Sequence, residues 1–222
     1  MKLTVFNGSP RGTRSNTTIL LEQFLKGFSE NPGNEYELIY LIHVDKQEVF
    51  VEKFSSAETI LLACPLYTDA MPAIVKTFIE SLSTLKERKE NPPIGFIIQS
   101  GFSEAIHSRA LERYMVKLAK RLGCPLYGTA VRGGIEGIQN MPPYMTKKVF
   151  NLFYKLGKDF GVTGRFDPDI VKTVAGRERF SNAAKITVKI MSALKLSDIY
   201  WNSLLKKNNA YDRRYARPYT ED

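Results

Sequence analysis

Five parallel strands, ordered 2-1-3-4-5 and lying between two layers of helices, form the α/β architecture that this sequence predicts. Three observations predict it. Short apolar runs alternate with amphipathic stretches along residues 2–131. The third of those runs, residues 58–64 (ETILLAC), is almost wholly apolar, as a strand covered on both faces must be. The first run passes through a hydroxyl- and arginine-bearing loop straight into a helix, which is the arrangement at the carboxyl edge of such a sheet. With 222 residues and 43% hydrophobic content the chain is long enough for one sizeable core with additions.

Residues 2–7 (KLTVFN) read as the first strand and 8–16 (GSPRGTRSN) as its exit loop. Residues 17–28 read as a helix, with Leu20, Leu21, Phe24, Leu25 and Phe28 on one face. The break at Asn31-Pro32-Gly33-Asn34 leads into a second strand, 36–41 (YELIYL). Residues 42–57 read as irregular and mixed in charge. After the third strand comes the loop 65–71 (PLYTDAM), then a helix over 72–85, with Pro72 in the first turn and Ile74, Val75, Phe78, Ile79 and Leu82 turned inward. A charged connector, 86–93, precedes the fourth strand, 94–99 (IGFIIQ), and the exit loop 100–104 (SGFSE). A long helix is expected over 105–122, stopped by Gly123, and a fifth strand over 126–131.

Beyond Gly137 the alternation stops. The sequence divides into a sheet domain, 1–140, and a helical extension, 141–222, expected to pack on it, with helices over 144–160 and about 177–194. The tail is aromatic and basic, with Tyr200, Trp201, Tyr211, Tyr215 and Tyr219 among Lys206, Lys207, Arg213, Arg214 and Arg217. Of the net charge of +9, +8 lies in residues 141–222, where 16 Lys/Arg face 8 Asp/Glu. Basic character of this kind attracts anionic small molecules or forms a solvated helical face. No RRM, zinc-finger or OB pattern accompanies it, so nucleic acid is not an expected partner.

The strand-loop-helix at the start is an anion cradle by construction. Unpaired amides and the positive end of the helix dipole meet at one point. Ser9, Ser15, Asn16, Thr17 and Thr18 add donors, and Arg11 or Arg14 brings a planar cation suited to a phosphate monoester. The same residues also suit an ordinary capped helix, with Ser15 or Asn16 as N-cap and Gly8 and Pro10 as turn residues. The loop lacks GxxxxGK[ST] and GxGxxG, which argues against a nucleoside triphosphate loop and a dinucleotide fingerprint. In the 2-1-3-4-5 order, the loops after strands 1, 3 and 4 converge beside the switch point, where a ligand is expected.

Gly8-Ser9-Pro10-Arg11 with Ser15-Asn16-Thr17 resembles the phosphate loop of the flavodoxin-like NAD(P)H-dependent FMN reductases and quinone reductases. Pro65-Leu66-Tyr67, followed by Met71-Pro72 and Lys76, resembles that family's second flavin loop, and Ser100-Gly101-Phe102 stands where its third lies. The likeness covers about residues 1–134. It implies a flavodoxin-like fold, bound FMN, and NADPH or NADH as hydride donor. It further implies a homodimer with the flavin near the interface, to which the helices over 72–85 and 105–122 can contribute. The implied acceptor is a small molecule such as a quinone, a nitro- or azo-aromatic compound or a flavin, or else a protein.

The residues agree on their own terms, because FMN needs a dianion pocket and a flat slot. Ser9, Arg11, Ser15, Asn16 and Thr17 serve the phosphate. Amides near Leu66, Tyr67 and Thr68 serve the polar edge of the ring, and Tyr67 and Phe102 offer aromatic contact or plain packing. The resemblance extends flavin contact to Pro65, Met71, Ser100 and Gly101.

Residues 42–54 hold no cysteine, which rejects the iron–sulfur cluster of some relatives. His107, near the third loop, reads as a surface residue at a helix start or as one within reach of a substrate, His43 is isolated, and Asp69 reads as a turn residue or as one that tunes flavin polarity; no hydrolase order or metal spacing emerges. No residue is assigned a catalytic acid or base role. Cys64 and Cys124 read as buried thiols, no apolar run nears the roughly 18 residues of a membrane span, and the sequence opens directly into a strand, so a reducing cytoplasm is expected. Two rivals remain: an FMN electron-transfer protein with a protein redox partner and no nicotinamide site, and a non-catalytic basic module.

Overall fold

The computed structural model describes residues 1–86, 88, 90–217 and 220, with the side chains of Leu196, Ser197 and Tyr200 excepted. Glu87 and Lys89 of the expected connector and Tyr219 of the tail lie outside the described residues. The chain forms two compact units, Met1–Arg179 and Phe180–Asp222.

In the first unit, strands β1 (Lys2–Asn7), β2 (Glu35–Tyr40), β3 (Thr59–Pro65), β4 (Ile94–Gln99) and β5 (Leu126–Arg132) build one sheet in the order β2-β1-β3-β4-β5. All four pairings are parallel. Every residue of β3 and β4 is buried, the outcome of apolar runs with no polar face to give to water.

Alternate side chains of β1 feed two cores. Phe6, with Leu62, Cys64, Phe96 and Ile98 of neighbouring strands, packs under α2 (Gln47–Ser56), α3 (Ala73–Ser81) and α4 (Arg109–Leu122). Leu3 and Val5, with Leu61, Ala63 and Ile97, pack under α1 (Asn16–Phe28) and α5 (Pro143–Thr163).

Several boundaries differ from those expected of the sequence. Residues 42–57 are not irregular: α2 lies there, because Phe50 and Phe54, four positions apart, both enter the first core. A helix of 10 residues among charges offers too few turns for its period to stand out. The helix expected over 72–85 becomes α3 followed by a 3-10 turn, Leu82–Leu85, and the one expected over 105–122 opens with another, Ala105–Ser108. A short helix, α6 (Pro168–Ala175), lies between the two helices expected over 144–160 and about 177–194; Asp167 caps it by accepting from the amides of Asp169 (2.8 Å) and Ile170 (2.9 Å). Gly123 stops α4 as expected, in the left-handed conformation at φ 66°.

The sequence divides near 140, whereas the first compact unit runs to Arg179. Close packing of α5 on α1 accounts for this. A Cβ on Gly27 would collide with the Tyr154 carbonyl, and one on Gly157 with the Phe24 carbonyl, so glycine on both helices lets the two backbones touch. Phe24, Phe28, Phe160 and Phe166 close the space beside them, with ring centroids 5.0–6.4 Å apart. At the rim of this contact Glu30 accepts from the Tyr154 hydroxyl and from Lys158 Nζ (2.9 Å), and these two donors hold its carboxyl below the usual carboxylate range.

The second unit contains α7 (Asn182–Ala193) and α8 (Leu196–Lys207). Ser181 caps α7 by accepting from Ala184 N at 3.2 Å, and no residue of α7 is buried. Among the described residues no helix is long and apolar enough to cross a membrane.

Burial pushes the Cys64 thiol up to about 12 and the Cys124 thiol up to about 11. Both are expected to be silent to Ellman's reagent at pH 8 in the native protein and to react fully in guanidinium, two thiols per chain. Rapid release of one thiol equivalent from native protein would contradict this burial.

Candidate functional site

The carboxyl edge of the sheet brings the loops after β1, β3 and β4 together. Gly8 N donates to Ala63 O of β3 at 2.7 Å, and a Cβ at Gly8 would collide with Val75 of α3, so the loop leaves β1 tightly against its neighbour. Buried Asn7 organises the loop from Ser9 to Thr18. Its Oδ1 accepts from Ser9 N (3.0 Å) and its Nδ2 donates to Thr18 Oγ1 (2.9 Å). The Thr18 hydroxyl donates to Gly12 O (2.9 Å), so in its 2.9 Å contact with Ser15 the proton comes from Ser15. Ser15 Oγ also accepts from Thr18 N (3.1 Å) as the N-cap of α1.

The loop ends in a 3-10 turn, Gly12–Arg14, made possible by Gly12 at φ 54°. Asn16 Nδ2 donates to Ile135 O (3.1 Å), and Thr17 Oγ1 accepts from Gln99 Nε2 (3.3 Å).

Among the described residues, this network leaves four kinds of donor unconsumed: the Ser9 hydroxyl, the Thr17 O–H, the first-turn amides of Asn16 and Thr17, and the Arg11 guanidinium. Ser9 is buried and Arg11 is exposed, and no carboxylate occurs between Gly8 and Thr18. Neutral buried donors under a rim cation are the set that a phosphate dianion needs.

A cleft of about 100 Å³ opens beside them, bounded by Ser9, Arg11 and Asn16 on one side, Pro65, Leu66 and Tyr67 on the second, and Gln99, Gly101 and Glu136 on the third. Its small size against the 300–1,000 Å³ that encloses a whole ligand means that only part of a bound molecule is enclosed there.

The second loop is tightly turned. Tyr67 N donates to Ala70 O (2.9 Å) and Ala70 N to Tyr67 O (3.1 Å), with Thr68 at φ 58°. A β-branched residue in the left-handed region is strained, by about 1–3 kcal/mol, and such strain concentrates at ligand-holding loops. The loop is tied to the third by Leu66 N donating to Gln99 O (2.7 Å). Ser100 is buried, its amide on Arg132 O (2.9 Å) and its hydroxyl on Phe102 O (3.2 Å). Phe102, 44% exposed, stacks on His107 with centroids 4.4 Å apart, and His107 Nε2 lies 3.7 Å from Glu104 Oε2.

Of the residues singled out in the sequence, Ser9, Arg11, Asn16, Pro65, Leu66, Tyr67 and Gly101 meet at the cleft. Ser15, Thr17 and Ser100 lie in the hydrogen-bond network behind it. Thr68 is in the turn, Phe102 is on the exposed rim, and Met71 packs against the first core. Sequence reasoning missed Gln99, Glu136 and Asn7. The signal for Asn7 and Gln99 was present, since each is a polar residue ending an apolar strand at the carboxyl edge. Glu136 follows β5 and reaches the cleft only because Ile135 N bonds back to Ser100 O (2.9 Å).

Fold and site define an α/β protein of the flavodoxin-like class with a cleft lined by unpaired donors at its switch point. Residues 1–131 match the family described as NADPH-dependent FMN reductase, and the chain belongs to that family. It is therefore an oxidoreductase, a flavoprotein working with FMN and a nicotinamide donor.

A search among curated proteins finds no match. Among solved structures, the chain resembles an FMN-dependent NADH-azoreductase from Bacillus anthracis in complex with FMN, at 16% identity and TM-score 0.57, over 72% of this chain and 97% of that one. It resembles the NADH:FMN oxidoreductase EMOB in its apo form at 14% and 0.56, over 82% and 97%. It resembles RosB with bound 8-demethyl-8-formylriboflavin-5'-phosphate at 15% and 0.57, over 87% of each chain. At these identities the likeness is one of fold.

Proposed function

We propose that the protein transfers hydride from NADPH or NADH, through bound FMN, to a small oxidised acceptor of the quinone, nitro- or azo-aromatic or flavin class, and that it works as a cytoplasmic homodimer. The convergence of a donor-rich loop without a carboxylate, Gly8–Thr18, with two further loops at one shallow cleft is the observation that carries the reading.

FMN, when bound, supplies the hydride chemistry. The chain's residues bind and orient. Ser9, Thr17, the amides of Asn16 and Thr17, and Arg11 would hold the phosphate; Pro65, Leu66, Tyr67, Thr68 and Gly101 would border the ring, with Ser15 and Ser100 keeping the loops in place. Tyr67 and Phe102, 45% and 44% exposed, are apolar surfaces on which a flat acceptor can lie. An open rim admits nicotinamide and acceptor by turns, and aromatic stacking is tolerant of acceptor identity.

The test is a visible spectrum of the purified protein with FMN, followed by anaerobic NADPH and then NADH. Bleaching of protein-bound flavin by either nucleotide is expected. Flavin that binds but resists both nucleotides would support the electron-transfer reading instead, and failure to bind flavin would overturn the site.

A further inference from the structure

We infer that Gln99 and Glu136 accept hydrogen bonds from a chain of hydroxyls, so that the cleft recognises a phosphorylated open-chain polyol, the ribityl phosphate of FMN. This rests on the reading proposed above and names partners for the part of the cofactor that lies between phosphate and ring.

The wall of the cleft is divided by polarity. Ser9, Arg11 and Asn16 bound one side of it, where the unconsumed groups are donors. Gln99 and Glu136 stand on another side and offer acceptors. Gln99 is only 6% exposed; its Nε2 is committed to Thr17 Oγ1 (3.3 Å), and no described donor reaches its Oε1. A buried amide oxygen at a cleft wall calls for a donor from the ligand. Glu136 is the one carboxylate among the described residues that bound the cleft, and it has no hydrogen bond or ion pair among them.

The fold fixes where this carboxylate stands. Buried Ile135 donates its N–H to Ser100 O (2.9 Å) and accepts at its carbonyl from Asn16 Nδ2 (3.1 Å), so residue 136 emerges between the start of α1 and the third loop. Gly137, at φ 74°, then turns the chain into the 3-10 turn Ile138–Asn140. A Cβ on Gly101 would lie 3.3 Å from Glu136 Cβ and 3.5 Å from its Oε2, so glycine in the third loop makes room for the stem and the carboxylate together.

The chemistry of the ligand follows from these partners. A carboxylate accepts without donating, and its charge repels phosphate, so the anionic end of a ligand belongs with Ser9 and Arg11 while neutral donors face Glu136. Inorganic phosphate would engage the donors and leave both acceptors unused. The edge of the isoalloxazine ring is mostly acceptor, with a single N–H. The ribityl chain carries its hydroxyls in series directly from the phosphate ester, and neighbouring hydroxyls suit the two oxygens of one carboxylate.

The experiment measures, by quenching of flavin fluorescence, how the full chain, E136A and Q99M bind FMN, riboflavin and lumiflavin, which has the same ring with methyl in place of the ribityl chain. Glu136 is exposed, and far-UV circular dichroism checks that each variant keeps its fold. E136A is expected to weaken riboflavin about 10-fold and lumiflavin less than about twofold, as the loss of a charge-assisted hydrogen bond to the chain requires. FMN should lose less than riboflavin, since removing Glu136 also relieves its phosphate of a like charge. Q99M is expected to weaken riboflavin about threefold and to spare lumiflavin; should Q99M not fold, E136A decides alone. Riboflavin bound as tightly by E136A as by the unaltered protein would overturn the inference. So would equal losses for riboflavin and lumiflavin, which would set Glu136 against the N–H of the ring, or unaltered protein that holds lumiflavin as tightly as riboflavin. In each of those cases flavin is still bound and the FMN reading survives; unaltered protein that binds none of the three flavins would overturn both.

Discussion

Replacing Ser9 and Arg11 together by alanine is expected to weaken FMN binding by roughly 100-fold while changing riboflavin binding by less than about threefold. Hydrogen bonds to a charged group contribute about 1.5–3 kcal/mol each, and two of them lost at the lower end of that range, as suits an exposed Arg11, give that factor. Riboflavin lacks the phosphate and loses nothing comparable. Neither substitution disturbs the loop, since the Ser9 backbone keeps its bonds to Asn7 Oδ1 and Gly12 N, and Arg11 is exposed. Quenching of flavin fluorescence measures both constants. Equal losses for the two flavins would show that the cradle after β1 does not hold phosphate.

Gly157→Ala is expected to destabilise the protein by about 3 kcal/mol, read as a lower urea midpoint at unchanged slope. The sign makes this informative. In an isolated helix the change would stabilise by about 1 kcal/mol, because alanine loses less backbone freedom than glycine. In this fold the added Cβ would strike the Phe24 carbonyl, and the carbonyl belongs to a helix that the sheet holds in place. Backbone cannot yield as a side-chain tip can, so α5 must shift and its Phe153, Leu156 and Phe160 must leave their packing. A stabilised variant would mean that α5 and α1 do not touch at Gly157.

Much of this architecture was legible because the local signals were strong. The strands 2–7 and 94–99 stand where their apolar runs place them, and the sheet order follows from parallel crossovers and the position of the first loop. Weak local signals hid α2 and α6, which are 10 and 8 residues long and owe their stability to the cores they cover. The boundary near residue 140 followed the end of alternation, but membership of a compact unit depends on packing, and α5 is packed by glycines whose purpose no local pattern discloses.

The amino-acid order by itself determined the strand-loop-helix cradle, its hydroxyls and arginines, and the family to which it belongs. Those features are contiguous, so a few residues in register carry them. Only the tertiary structure decided how the donors divide. Ser15 and Thr18 spend their protons within the loop, while Ser9 and the first-turn amides remain for a ligand. It also brought Gln99 and Glu136 to a cleft that begins at Ser9. A hydrogen bond is allotted by distance in space, and residues as far apart in the chain as Thr17 and Gln99, bonded at 3.3 Å, become neighbours only when parallel strands set their carboxyl ends side by side.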